Sequence, residues 1–223
     1  MIPLRDNIKS TRFAFISWII LIANCYVFYL ELRSGRGDSL ERFIREWAVI
    51  PRHLSANPIE QAHTLVTATF LHGGWMHIIF NMLFLYIFAD NVEDRLGHIK
   101  FFIFYLLVGV AANGIQALMS PQSAIPLIGA SGAIAGVLGA YFFYYPHSRI
   151  ITLIPIGFIV TIREIPAYFF LGFWFLMQML SAGHSMIVTQ QSLGGVAWWA
   201  HASGFVIGLL LAPILGGKTG KYR

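Results

Sequence analysis

An all-α polytopic membrane protein is the fold class this sequence predicts: six transmembrane helices in one bundle, with both termini cytoplasmic. Three observations predict it. Of 223 residues, 57% are hydrophobic and 11% charged, where soluble domains carry about 25% charged residues. A mean hydropathy of +0.67, with 19 Phe, 6 Trp and 9 Tyr, means more apolar surface than one soluble core hides, so lipid is the solvent for most of it. Basic residues cluster at the two ends, Arg5, Lys9 and Arg12 before the first apolar run and Lys218, Lys221 and Arg223 after the last, where the positive-inside rule leaves them in the cytoplasm. The net charge of +5 is thus explained by topology and does not call for nucleic acid. A single cysteine, Cys25, within an apolar run excludes a disulfide framework.

Residues 1–12 are expected to form a cytoplasmic segment, 13–215 the membrane domain and 216–223 a basic cytoplasmic tail. The first run, 13–30, approaches the roughly 20 residues a crossing needs, and no small-residue cleavage site follows it, so it stays as a helix. The stretch 31–61 carries five acids, five arginines and two prolines, and opens an outer loop, 31–74, with short amphipathic helices at the interface. Spans then follow at 75–89, before the charged turn 90–95, and at 101–119. The fourth, from about 132 to 145, is short for a full crossing. Residues 150–161 are apolar but β-branched and broken by Pro155 and Gly157. They fold back at the interface, because a seventh span would send the basic C-terminus outward. The last spans fall at 167–180 and 198–215, and every acid lies outside the spans on this reading.

Polar side chains inside a bilayer are costly, so each is a functional candidate. Parity places His72, His77, Asn81, Ser131 and His201 at helix ends on the outer side. Ser131 stands between glycines in Leu127-Ile-Gly129-Ala-Ser131-Gly132, at a helix N-terminus, where an ordinary serine serves as an N-cap. His201 lies in Ala200-His201-Ala-Ser-Gly204-Phe-Val-Ile-Gly208, a row of small residues spaced four apart. Gly132, Gly136 and Ala140 form a matching row. Small residues at that spacing let membrane helices approach closely, and two facing rows would bring the His201 imidazole to the Ser131 hydroxyl, a nucleophile with its base. With no acid near, a Ser–His dyad is expected, its histidine held by packing. His77 and Asn81, at i and i+4 on one helix face, and the Ser131 amide are the candidate oxyanion donors. His72 reads as structural. Glu93, Asp94 and Arg95 read as a cap or clamp on the second helix, and Asn113 and Gln116 as interhelical hydrogen bonds. His147 and His184 have no convincing partner. No metal or organic cofactor is required.

At these residues the chain resembles the rhomboid intramembrane serine proteases. The motifs are Gly129-Ala-Ser131-Gly132, Ala200-His201-Ala-Ser-Gly204, His72-Gly-Gly-Trp-Met-His77-Ile-Ile-Phe-Asn81, and Val92-Glu93-Asp-Arg95-Leu-Gly97 for the turn after the second helix. The resemblance runs from about residue 70 to 211. It implies a six-helix core, a serine in a water-filled cavity below the outer surface, and cleavage of transmembrane protein substrates near that surface. Ser131 and His201 would be catalytic and His77 and Asn81 oxyanion donors. A gate would fall between the second and fifth helices, with a cap at 182–197. The absence of an extra soluble domain suggests a bacterial-type member of the inner membrane, with its active site opening to the outer face. Two features depart from well-known members. No Trp-Arg pair is found in the first outer loop, where Arg45-Glu-Trp47 is a different motif. Ala135 replaces the tyrosine that some members place four residues after the serine, under the histidine ring. Two alternatives remain. A silent relative that binds transmembrane helices is disfavoured by retention of Ser131 and His201. A transporter is disfavoured because the spans lack acids and duplicated halves.

Overall fold

The computed structural model describes residues 1–157, 159–187 and 197–216. The cap expected at 182–197 and the basic tail at 216–223 therefore fall largely outside the described residues. Strand β1, Ile2–Asp6, comes first, followed by helix α1, Phe15–Arg33. The outer loop holds four short helices, α2 (Asp38–Trp47), α3 (Pro51–Ala56), α4 (Pro58–Gln61) and α5 (Thr64–Thr67). Long helices α6, Trp75–Leu96, and α7, His98–Met119, precede α8, Ser131–Tyr144. Strands β2, Arg149–Ile156, and β3, Ile159–Pro166, lead into α9, Ala167–Ile187, and α10, Trp198–Gly216.

α1, α6, α7 and α10 are each long and apolar enough to cross a membrane, while α8 and the apolar stretch Ala167–Gly183 of α9 are shorter. α8 sits at the centre, packed against α6, α7, α9 and α10, and buried along its length from Gly132 to Tyr141. Large apolar side chains such as Ile22, Tyr86, Leu107 and Leu210 point outward, as they should where lipid is the solvent. The protein is an integral membrane protein of mostly helical, polytopic build.

The structure corrects the all-α expectation. Residues 150–161 do fold back without crossing, but they do so as part of an antiparallel hairpin, in register from Arg149↔Pro166 to Ile156↔Ile159. The β-branched side chains favour the pleat, and Gly157 at φ +60° makes the reversal. β1 pairs antiparallel with β2, from Ile2↔Leu153 to Asp6↔Ile150, so residues 1–12 contain a structural strand as well as a basic segment. The "charged turn" 90–95 is helical too, as α6 runs to Leu96 and ends only at Gly97, φ +78°.

That extension has a reason. Glu93, fully buried, accepts hydrogen bonds from the Ile16 amide (3.0 Å), the Ser17 amide (2.7 Å) and the Ser17 hydroxyl (2.6 Å), and pairs with His98 Nδ1. It satisfies the orphan amides at the start of α1, so it caps the first helix and not the second. Asp94 joins it by accepting from the Thr11 amide at 2.8 Å. Glu31 likewise proves to be inside helix α1, 3% exposed, so the reading that every acid lies outside the spans was too strict.

Contacts at helix ends show which ends lie together. Lys100 Nζ at the start of α7 donates to the Leu215 carbonyl at the end of α10, and β1 pairs with the strand that follows α8. The beginning of the chain and the end of α10 therefore share one end of the bundle. The starts of α6, α8 and α10 are at the other.

Candidate active site

Three helix starts and one late turn of α9 converge at that second end. The α8–α10 contact is the closest. A Cβ built on Gly204 would fall inside the Gly132 carbonyl, and one on Gly208 inside the Gly136 carbonyl. The two small-residue rows therefore do face each other, Gly204 over Gly132 and Gly208 over Gly136. Gly136 serves a second neighbour as well, since its missing side chain leaves room for Val108 of α7. This approach brings His201 Nε2 to 2.8 Å from Ser131 Oγ. Ser131 is the first residue of α8 and Ala130 takes the N-cap position, so the ordinary N-cap reading does not apply. Both side chains are half-buried.

The start of α10 is itself held from α7. Gln116 Oε1 accepts from the amides of Trp199 (3.0 Å) and Ala200 (3.2 Å), two of the helix's orphan donors. Asn113 Nδ2 donates to the Leu65 carbonyl at 3.0 Å. Both were expected to make interhelical bonds; Gln116 also fixes the helix end that carries the histidine.

α6 supplies His77 and Asn81. Gly73 donates its amide to His77 Nδ1 at 3.3 Å, which leaves Nε2 to carry the ring proton. That nitrogen lies beside Gly129, where a Cβ would stand 2.7 Å from it and 3.6 Å from Ser131 Oγ. Gly129, at φ +125°, is needed both for the turn and for the space. Asn81 is 7% exposed, and its Nδ2 is buried without a hydrogen-bond partner among the described residues. An unpaired buried donor costs about 1–3 kcal/mol. Together with the Ser131 amide, an orphan by its position at the helix start, these are hydrogen-bond donors at this end of the bundle.

His72 lies just before α6, 2% exposed. Its amide donates to Glu31 Oε1 at 2.9 Å, and its ring meets that of His77 edge-on at 5.1 Å. Burial first, and His77 second, push its pKa down to about 4, so it stays neutral and acts as a structural support. His147 packs against the Tyr168 ring; the side chain of His184 lies outside the described residues.

One contact was missed in the sequence. Gln178 of α9, 8% exposed, accepts from His201 Nδ1 at 2.7 Å. One turn earlier, Trp174 lies over the same imidazole at 6.0 Å with a 35° tilt, and Trp198 meets it edge-on. The histidine is therefore held by a hydrogen bond from α9 as well as by packing. The available signal was a lone uncharged polar residue one turn after a tryptophan in an apolar helix. Among the described residues no group of His, Cys, Asp and Glu is arranged to hold a metal ion.

The chain is similar to several known proteins. The family model described as the Rhomboid domain matches residues 59–218. Rhomboid-like protein 11, chloroplastic, of Arabidopsis thaliana is 33% identical over 157 residues, 69% of this chain and 52% of that protein. Rhomboid protein 1, mitochondrial, of Saccharomyces cerevisiae is 25% identical over 187 residues, 82% of this chain and 49% of that protein. Rhomboid protease GluP of Bacillus subtilis is 37% identical over 93 residues, 42% of this chain and 18% of that protein. The chain spans about half the length of the first two of these relatives.

Proposed function

This chain belongs to the rhomboid family, which includes serine intramembrane proteases, and from that premise we propose that it is a serine endopeptidase that hydrolyses peptide bonds in or near transmembrane segments of membrane proteins. The observation that carries the reading is the 2.8 Å approach of His201 Nε2 to Ser131 Oγ; the buried, unpaired Nδ2 of Asn81 supports it.

The chemistry follows from the positions. His201 takes the proton of the Ser131 hydroxyl as its oxygen attacks a substrate carbonyl. The oxyanion that forms rests on the Ser131 amide, His77 Nε2–H and Asn81 Nδ2. Donors that the fold already holds in place need little reorganisation as the charge develops. The imidazolium returns the proton to the leaving amine, and water then hydrolyses the acyl-enzyme. Both catalytic side chains are half-buried, which leaves a path for that water.

The short α8 supports a site below the surface. Fourteen residues rise about 21 Å, against a hydrocarbon core of about 30 Å. If the other end of α8 sits at one interface, Ser131 lies roughly 9 Å inside the opposite one. A substrate helix must unwind to present a bond there, so small or helix-breaking residues should mark cleavage sites. On this reading six helices cross, with α8 and α9 as the short members, and α9 flanks the substrate entrance beside α6. Both termini are cytoplasmic, since Arg5, Lys9, Arg12 and Lys100 gather at the far end from the site. The membrane is a bacterial inner membrane, with the site opening to its outer face.

The test is to incubate purified protein with a transmembrane substrate in vesicles. Cleavage that Ser131→Ala and His201→Ala each abolish supports the proposal. A folded wild-type protein that binds such helices without cutting them would make it a silent relative.

A further inference from the structure

The proposed chemistry places a demand on His201 that Ser131 cannot meet. For Nε2 to accept the serine proton, the neutral imidazole must carry its own proton on Nδ1. A histidine free to choose would populate both tautomers and rotate between ring orientations. In serine hydrolases a buried carboxylate usually settles this. Here the ring nitrogens of His201 meet Gln178 and Ser131 and no carboxylate, and the buried Glu31 and Glu93 are engaged elsewhere, with the His72 amide and at the start of α1.

From the geometry of α9 we infer that Gln178 is a positioning residue that completes a Ser131–His201–Gln178 triad, selecting the His201 tautomer in which Nε2 is free to act as base. The inference rests on the protease reading and deepens it. Gln178 Oε1 stands 2.7 Å from Nδ1, and a carboxamide oxygen there accepts only from a protonated nitrogen. The Gln178 side chain is 8% exposed, so little water competes for its carboxamide. Trp174 is four residues earlier, hence on the same helix face, and its ring neighbours the imidazole, with centroids 6.0 Å apart. One face of α9 thus supplies both the acceptor at Nδ1 and the platform for the ring. Ala135, fully buried at the α8–α10 contact, is too small to reach under the histidine, and its Cβ lies where a Cβ on Gly204 would come within 3.3 Å. The close helix approach leaves no room for a large ring there, so the support comes from α9.

A neutral acceptor stabilises the imidazolium less than a carboxylate does, so the effect should be modest and should fall on the chemical step. Gln178→Leu, close in volume and without an acceptor, should lower kcat about ten- to a hundredfold with KM unchanged. Gln178→Glu, which keeps an oxygen at Nδ1, should recover most of that loss. Nitrogen NMR of selectively labelled His201 should show the proton on Nδ1 in the wild type and a mixture of tautomers in Gln178→Leu. Wild-type kcat in Gln178→Leu would overturn the inference. So would a loss that Gln178→Glu does not restore, or a wild-type His201 protonated on Nε2. The NMR comparison needs no turnover. If the wild type cleaves no substrate, the protease reading fails by itself, while the tautomers of the wild type and of Gln178→Leu still decide whether Gln178 selects one.

Discussion

Adding one methyl group at Gly204 should separate the two residues on which the chemistry depends. A Cβ there would overlap the Gly132 carbonyl oxygen, stand 3.1 Å from its carbon and approach the Ala135 Cβ at 3.3 Å. Backbone cannot rotate out of the way, so α8 and α10 must part by about 1 Å to reach ordinary carbon–oxygen contact at about 3.3–3.6 Å. The 2.8 Å between Ser131 and His201 would then approach 4 Å, roughly, beyond hydrogen-bond range. Misplacement on the order of 1 Å costs about a hundredfold in rate, and overpacking destabilises by about 1–3 kcal/mol. Gly114→Ala on α7 is the control, since a Cβ there meets nothing within 4 Å and alanine favours a helix by up to about 1 kcal/mol. Cleavage of a transmembrane substrate in vesicles, read beside thermal unfolding in detergent, measures both quantities. Wild-type cleavage by Gly204→Ala, or an equal loss in Gly114→Ala, would refute the packing argument.

Three further outcomes are expected. Asn81→Leu should lose about a hundred- to a thousandfold in kcat, as removal of an oxyanion donor does, yet keep or raise its unfolding midpoint, because it removes the buried unpaired Nδ2; a fall in stability parallel to activity would mean that Asn81 is structural. Glu93→Ala leaves the Ile16 and Ser17 amides without their acceptor and should cost about 3 kcal/mol in denaturant unfolding of a Ser131→Ala background, with unchanged unfolding excluding the cap. Asp6, whose carboxylate meets the Tyr141 hydroxyl, is pushed up to about 6 from 3.8, chiefly by burial. The fold therefore favours its protonated form, and its contribution to stability is full below about pH 4 and lost as pH rises towards about 6. Asp6→Asn should flatten the stability profile in that window, and an identical slope in both proteins would remove Asp6 from the account.

Most of the site was legible because its chemistry is written locally. Ser131 between glycines, His201 in a small-residue row, and His77 with Asn81 one turn apart each stand out as candidates through spacing within a single element. The positions of α1, α6, α7 and α10 followed from apolar length in the same way. The hairpin was legible only in part: the β-branched run excluded a spanning helix, but its partner β1 lies more than a hundred residues earlier, in a segment whose basic residues suggested only topology. The run 90–95 misled because six mostly polar residues look like a turn until the capped start of α1, 76 residues away from Glu93, is placed beside them.

The sequence by itself determined the lipid environment, the long helices, the close-packing faces and the candidates for nucleophile and base. Composition and period are properties of one segment at a time, and these features need no more. Only the tertiary structure decided that Gln178 meets His201, that Gln116 caps α10, that Glu93 caps α1 and that Gly129 makes room for His77. Each of these depends on how one element is rotated and shifted against another. Periodicity tells which face of a helix is buried, but the partner on that face is chosen by packing across the whole bundle.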